Sequence, residues 1–296
     1  ALALGSVAGQ GIILTDNWTA NRHVNISANS QINTQEFNWT QNGNFTGTQA
    51  ATLTKVGTGT WTLNSDINNS TFAGPVTISA GRFMVNGFLA TSTSSLTIAN
   101  GAGLGGGGEI DRPVTVGTNA VISPGASTGT LAISTRSATA LTIGAGTTFE
   151  IEINNATGTI GVNWDRLIAL HAPISLPNAL TIQLIGLDAG DNPGPVANFN
   201  PGADYTWEFL TAPNFTGTAF NSIAFTLDVS QFIDNNPLAG GTFSIVQGAP
   251  TVLAVLSGAA TPAPPPCILP GASPLSAAGY TWHRRQRRAV DEILAE

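Results

Sequence analysis

Charge is the scarcest property of this sequence. Only 9% of its 296 residues are Asp, Glu, Lys or Arg, against roughly 25% in an ordinary soluble protein. A single lysine, Lys55, stands in the whole chain. Up to Gly258 six cations face fourteen acids, and beyond it four arginines face three acids. A body that acidic repels a phosphate backbone, which excludes nucleic acid as a partner. Cysteine is nearly absent too. Cys267 is the only one, so there is no disulfide framework and no cysteine-based zinc site. The three histidines, His23, His171 and His283, are far apart and make no His-rich metal motif. No window before residue 259 keeps apolar residues at i, i+3 and i+4, and the strand–helix alternation of nucleotide-binding folds is missing.

What is abundant is the material of strands and tight turns. Hydrophobic residues make up 42%, and there are 37 Thr, 25 Asn and 34 Gly. Thr favours strands, while Asn and Gly favour turns that need positive φ. Short runs alternate apolar with small polar residues: Thr60-Trp-Thr-Leu, Val76-Thr-Ile, Phe83-Met-Val, Ser95-Leu-Thr-Ile, Val114-Thr-Val, Thr130-Leu-Ala-Ile, Ala140-Leu-Thr-Ile, Phe149-Glu-Ile-Glu-Ile and Ala179-Leu-Thr-Ile-Gln-Leu. Each is bounded by Gly, Asn or Pro, the pattern of an all-β sandwich, barrel or solenoid. From Lys55 to about Ser134 the strands recur every ten or so residues with Gly-rich turns. That spacing selects a solenoid, in which one coil stacks on the next and glycine lets the chain turn corners at close approach.

The segment Leu53-Thr-Lys-Val-Gly-Thr-Gly-Thr-Trp-Thr-Leu, followed by Phe72-Ala-Gly-Pro-Val-Thr-Ile-Ser-Ala-Gly-Arg-Phe-Met-Val, resembles the autotransporter-associated β-strand repeat. Leu104-Gly-Gly-Gly-Gly-Glu-Ile and Ile122-Ser-Pro-Gly-Ala-Ser-Thr-Gly-Thr-Leu resemble the coils that follow such repeats. The likeness covers residues 53–134; later segments such as Trp164-Asp-Arg-Leu-Ile-Ala-Leu share only its style. It implies a right-handed parallel β-helix on a bacterial surface. No translocator barrel is expected among the residues that follow. Beyond about Ser137 the pattern leaves two alternatives, a continued solenoid or a sandwich-like second half.

The two ends read differently from the body. Residues 1–8, with the small-x-small triplet Ser6-Val7-Ala8, look like the remnant of a signal peptide cleaved after Ala8, the alternative being a first β-strand. Residues 9–136 are the repeat-bearing solenoid and 137–258 the continuation of the β domain. Residues 259–296 carry a proline-rich linker with Pro262 and Pro264, a short apolar segment from Cys267 to Trp282, and the cluster Arg284, Arg285, Arg287 and Arg288, a segment expected to be disordered or helical. That order resembles the PEP-CTERM sorting signal. The resemblance implies recognition by an exosortase-type membrane protease and transient membrane contact, with the arginines on the cytoplasmic side. Two features depart from it. Pro262-Ala-Pro264 replaces Pro-Glu-Pro, and the apolar segment contains Pro270 and Pro274 and is shorter than the ~20 residues of a spanning helix.

Motifs with chemistry are few. Gly101-Ala-Gly-Leu-Gly-Gly106 has the spacing of a dinucleotide loop but runs into Glu109-Ile-Asp-Arg-Pro113, which starts no helix, so it reads as a corner. Gly125-Ala-Ser127-Thr-Gly129 has the spacing of a nucleophile elbow, with Asp165 and His171 downstream in the right order, yet a strand-like run follows it. Gly105-Gly-Gly-Gly108-Glu-Ile-Asp111 is similar to a calcium β-roll repeat but has no second copy. Asp188 and Asp191 place two carboxylates where they can surround calcium, though as a turn the segment needs no metal. The Trp residues read mainly as core or corner fillers. Asn-x-Ser/Thr triplets such as Asn17-Trp-Thr19 read as solvent-facing rows. The expectation is therefore a non-enzymatic secreted or cell-surface structural or adhesion protein, with no cofactor, associated with extracellular polysaccharide of a Gram-negative bacterium. A glycan-binding module with exposed aromatics in a row, or a polysaccharide lyase or hydrolase with carboxylates on one solenoid face, are the alternatives.

Overall fold

The computed structural model describes residues 2–4, 10–66, 70–248 and 252–258. Three strands make one turn of the chain. Leu53–Val56 lies on a first face and Thr60–Leu63 on a second. One turn later Val76–Ile78 pairs in parallel with the former, with Val76 opposite Leu53. Arg82–Val85 pairs with the latter, with Phe83 opposite Trp61. Phe88–Leu89 then opens the long sheet of the third face. The first face holds nine parallel strands, from Gln10–Ile13 to Phe215–Gly217. The second also holds nine, from Trp18–Ala20 to Ala224–Asp228. The third face is divided: Leu2–Leu4, Val24–Ile26 and Phe45–Gly47 form one sheet, and a seven-stranded sheet starts at Phe88–Leu89. This is a parallel β-helix. At about 4.8 Å per coil its two long faces extend for roughly 40 Å.

The alternation of residue types makes each coil close on itself. In Thr60–Leu63 the side chains of Trp61 and Leu63 are buried, while Thr60 and Thr62 face outward. Because register carries identical positions onto one another, the interior becomes a set of ladders. Trp18, Trp39, Trp61 and Phe83 stack with ring centroids 5.8, 5.2 and 4.2 Å apart. The ladder goes on through Leu104, Ile122 and Phe149. Outside, Thr54, Thr77, Thr97, Thr115, Thr142, Ser175 and Thr216 stand opposite one another along the first face. Glycine is required where successive corners touch: a Cβ on Gly59 would lie 1.7 Å from the Phe37 carbonyl oxygen. Corner asparagines link the coils, Asn42 Nδ2 donating to Asn21 Oδ1 and Asn64 Nδ2 to Asn42 Oδ1, both at 2.8 Å.

The second half continues the same helix, which corrects the sandwich alternative. Leu141–Ile143 lies on Val114–Val116, and Thr147–Ile153 on Val121–Pro124. Ala179–Gly186 keeps the in–out alternation and lies parallel on Thr147–Ile153, and the strands up to Ala224–Asp228 each find a parallel partner one coil back. What changes is coil length. Ladder partners lie 18 residues apart at Leu104 and Ile122 but 45 apart at Ile182 and Leu227. The extra residues leave the second face as loops, which build an annex with its own aromatic core. Trp207 stacks on Tyr205 at 5.4 Å, and Phe232, on the one-turn helix Ser230–Ile233, packs edge-on to Phe199 and Phe243. Buried Asn236 ties the loops together, accepting from Val196 N and donating to Gly194 O and Phe232 O. The parallel stacking ends at an antiparallel hairpin, Thr242–Gly248 with Val252–Gly258, whose second strand pairs with Tyr205–Thr211.

Candidate functional site

The densest group of ionisable side chains lies on the second face. Arg82 reaches along the outside of the helix to Glu150 and grips it with two bonds, Nη2 to Oε1 at 2.8 Å and Nη1 to Oε2 at 2.9 Å. It can do so because Gly103 and Gly105 lie between them. A Cβ at Gly103 would meet the Arg82 stem at 2.8 Å, and one at Gly105 would meet Met84 Sδ at 2.8 Å. The bonds to Glu150 raise the Arg82 pKa. Glu152 follows on the same outward side of strand Thr147–Ile153. Burial holds its carboxyl above the usual carboxylate range, with Glu150 and Asp191 adding to the shift. Asp165 is fully buried beside them and accepts from Gly129 N at 2.8 Å and Glu152 N at 2.9 Å. Burial lifts its carboxyl well above the ordinary value despite those two bonds.

The arrangement binds coils together more than it presents reactive groups. Glu150 is gripped by Arg82, and both oxygens of Asp165 are taken by backbone amides. Two carboxylates, Glu150 and Glu152, do share one face. Among the described residues no group of three or more His, Cys, Asp or Glu side chains is placed to hold a metal ion.

The sequence motifs resolve one by one. Gly103–Gly106 is a fully buried strand of the second face, with no helix after it. Asp165 does contact the Gly125–Gly129 turn, through Gly129 N. Ser127 Oγ, however, is buried without a hydrogen-bond partner, and His171 is exposed. The three residues of a hydrolytic triad are not linked by hydrogen bonds. Glu109 begins a third-face strand and Asp111 accepts from Thr91 Oγ1 in the coil before, so the β-roll-like run is a corner. Asp188 Oδ1 accepts from Gly190 N at 2.8 Å and Asn192 N at 3.1 Å, and these bonds lower its pKa. Asp191 sits in the same turn at φ +60°. Leu2–Leu4 pairs with Val24–Ile26, as the strand reading of the first residues has it. Ala8 and the tail, with Pro262, Pro264, Arg284, Arg285, Arg287 and Arg288, lie outside the described residues.

Two buried cations escaped sequence reasoning as structural devices. Lys55 occupies a core position of the first face, between Ile32 and Ile78 in register. Its Nζ donates to Gly57 O and Ala80 O, both at 2.8 Å, so it closes a corner of two successive coils. Arg112 is buried at the corner between the third-face strand Glu109–Ile110 and the first-face strand Val114–Val116 and donates to Phe72 O, Gly74 O and Ala90 O, joining three coils. Both serve backbone carbonyls that have no strand partner. Nothing local distinguishes such a cation from a solvated one.

What the solenoid offers to a partner is therefore its surface. Trp39, Trp61 and Trp207 are buried, and Trp18 is half-buried at the end of the stack. Among the described residues the large apolar side chains that are exposed are Ile13, Val162, Leu170 and Ile233, none of them aromatic. The first face presents its hydroxyl row, and that row runs into a depression of about 360 Å³ lined by Thr216, Gly217, Phe220 and Gln247. A second, open depression of about 450 Å³ lies on the third face beside Asp66, Phe88 and Glu109. Among the described residues no helix is long and apolar enough to cross a membrane. Residues 53–84 match the passenger-associated-transport-repeat family model, a repeat linked to autotransporter passengers. No curated protein matches the chain in sequence.

Proposed function

We propose that this chain is a non-enzymatic secreted or cell-surface structural and adhesion protein of a Gram-negative bacterium, held in the extracellular polysaccharide matrix. The observation that carries the proposal is the position of the passenger-type repeat, residues 53–84, inside a parallel β-helix whose first face carries a row of uncharged hydroxyls. A passenger acts by being displayed, and a solenoid suits display because each coil shields the edge of its neighbour. The Arg82–Glu150 pair, the buried Lys55 and the buried Arg112 are then parts of the frame. The tail acts as the sorting signal: an exosortase-type protease recognises the Pro262–Pro264 region while the four arginines remain on the cytoplasmic side of the membrane.

The test is expression of the full chain in a bacterium that carries an exosortase, followed by intact mass spectrometry of the exported product. Loss of the residues beyond Pro264 is the expected result. An exported protein with its tail uncut overturns the sorting assignment, and retention of the chain in the cytoplasm overturns the surface assignment.

A further inference from the structure

The first face combines three properties that converge on one class of ligand. Its seven strands from Leu53–Val56 to Phe215–Gly217 contain a single charged residue, Lys55, and that side chain is buried. Its outward centre line is one hydroxyl per coil, from Thr54 to Thr216. Thr54, Thr77, Thr97, Thr115 and Thr142 spend no side-chain hydrogen bond on the described residues; Thr115 and Thr142 are exposed and the other three half-buried. At its far end the row enters the depression beside Phe220 and Gln247. Gly217 lets the last strand lie close on the coil before it: its φ is +84°, and a Cβ there would lie 2.4 Å from Leu176 O and 3.0 Å from Ser175 Oγ. A shallow hollow with an aromatic ring and a few polar groups, continuous with a hydroxyl track, is a ligand-site geometry rather than a smooth wall.

We propose that this track binds an extended, uncharged, β-linked polysaccharide laid along the solenoid axis, with its end ring seated on Phe220. The inference rests on the matrix association proposed above and specifies its face and its ligand. Neighbouring strands lie about 4.7–4.9 Å apart, close to the advance per ring of an extended β-linked pyranose chain. One threonine therefore meets each sugar. Its hydroxyl bonds a ring hydroxyl and its methyl packs on the C–H surface, as the flat side of an aromatic ring does at the terminus. Charge decides between polymers. The body carries six cations against fourteen acids, and this face supplies no cation to a uronate, so an acidic polysaccharide is disfavoured.

The experiment is isothermal titration of the full chain with cellohexaose as the neutral probe and an alginate oligomer as the acidic one. It is repeated on Thr115→Glu/Thr142→Glu, which changes only exposed side chains, and on Phe220→Ala. Expected is binding of cellohexaose but not alginate, with affinity at least 10-fold weaker in each variant and unfolding temperature unchanged in the threonine variant. No cellohexaose binding, equal binding by the threonine variant, or preference for alginate overturns the inference. Retention of the full chain on isolated matrix polysaccharide is measured in parallel. If the threonine variant is retained as well as the wild type, the track is wrong and the matrix association stands. If neither is retained, the matrix association fails too.

Discussion

Lys55 shows how much a single position can hide. Sequence marks it as the chain's only lysine and as part of a repeat, and nothing local says that its ammonium group points inward. Burial lowers its pKa to about 8 from the usual 10.5. Between those values the unfolded chain holds more protons than the folded one, so the contribution of Lys55 to stability rises with pH from about 8 to 10.5. In Lys55→Met that rise disappears. Denaturant midpoints at pH 7 and pH 10.5 measure it: the wild type should gain relative to the variant at the higher pH, and parallel behaviour would sink the assignment. Asp165 is the acidic counterpart, a carboxyl whose burial was invisible in the sequence because its backbone partners are distant in the chain: Gly129 lies in the coil before, and Glu152 lies across a loop of the same coil.

At the scale of the element, the strands were largely legible and their partners were not. Thr60-Trp-Thr-Leu announces an alternating strand, and the observed strand is Thr60–Leu63 with Trp61 and Leu63 inside. That Trp61 lies between Trp39 and Phe83 depends on register across coils, which alternation within one strand does not encode. The stack makes Trp61 a critical residue. Trp61→Ala removes a fully buried ring from the middle of the ladder and is expected to cost about 3–5 kcal/mol. Trp18→Ala, at the half-buried end, should cost clearly less. Chemical denaturation of the two variants provides the comparison, and equal losses would contradict the ladder. The glycine motifs follow the same logic. Gly101–Gly106 has the spacing of a nucleotide loop, yet Gly103 and Gly105 within it leave room for Arg82 and Met84 to lie across the strand.

For the whole molecule the decisive feature is how the solenoid ends. A parallel stack leaves a row of unpaired backbone groups on its last strand, and such edges recruit other chains. Here strand Tyr205–Thr211 is covered by the antiparallel hairpin of Thr242–Gly248 and Val252–Gly258, and Phe243 from that hairpin packs on Trp207 and Phe232. Internal deletion of residues 242–258 uncovers that edge and the annex core together. Light scattering should then report stronger concentration-dependent association of the variant than of the wild type; equal association of the two would refute the role of the hairpin as a cap.

The sequence by itself determined the class of this protein. Scarce charge, abundant Thr, Asn and Gly, and short alternating runs leave few structures other than stacked strands, because period-two alternation and turn chemistry are local properties of the chain. It also placed the repeat that residues 53–84 match. Only the tertiary structure decided that the second half keeps to the same helix. Coils lengthened by loops hide the period from the sequence, whereas hydrogen bonding between strands tolerates any length of connection. The tertiary structure alone also turned scattered threonines into a continuous row and buried Lys55, Arg112 and Asp165, since register and burial belong to contacts between residues far apart in the chain.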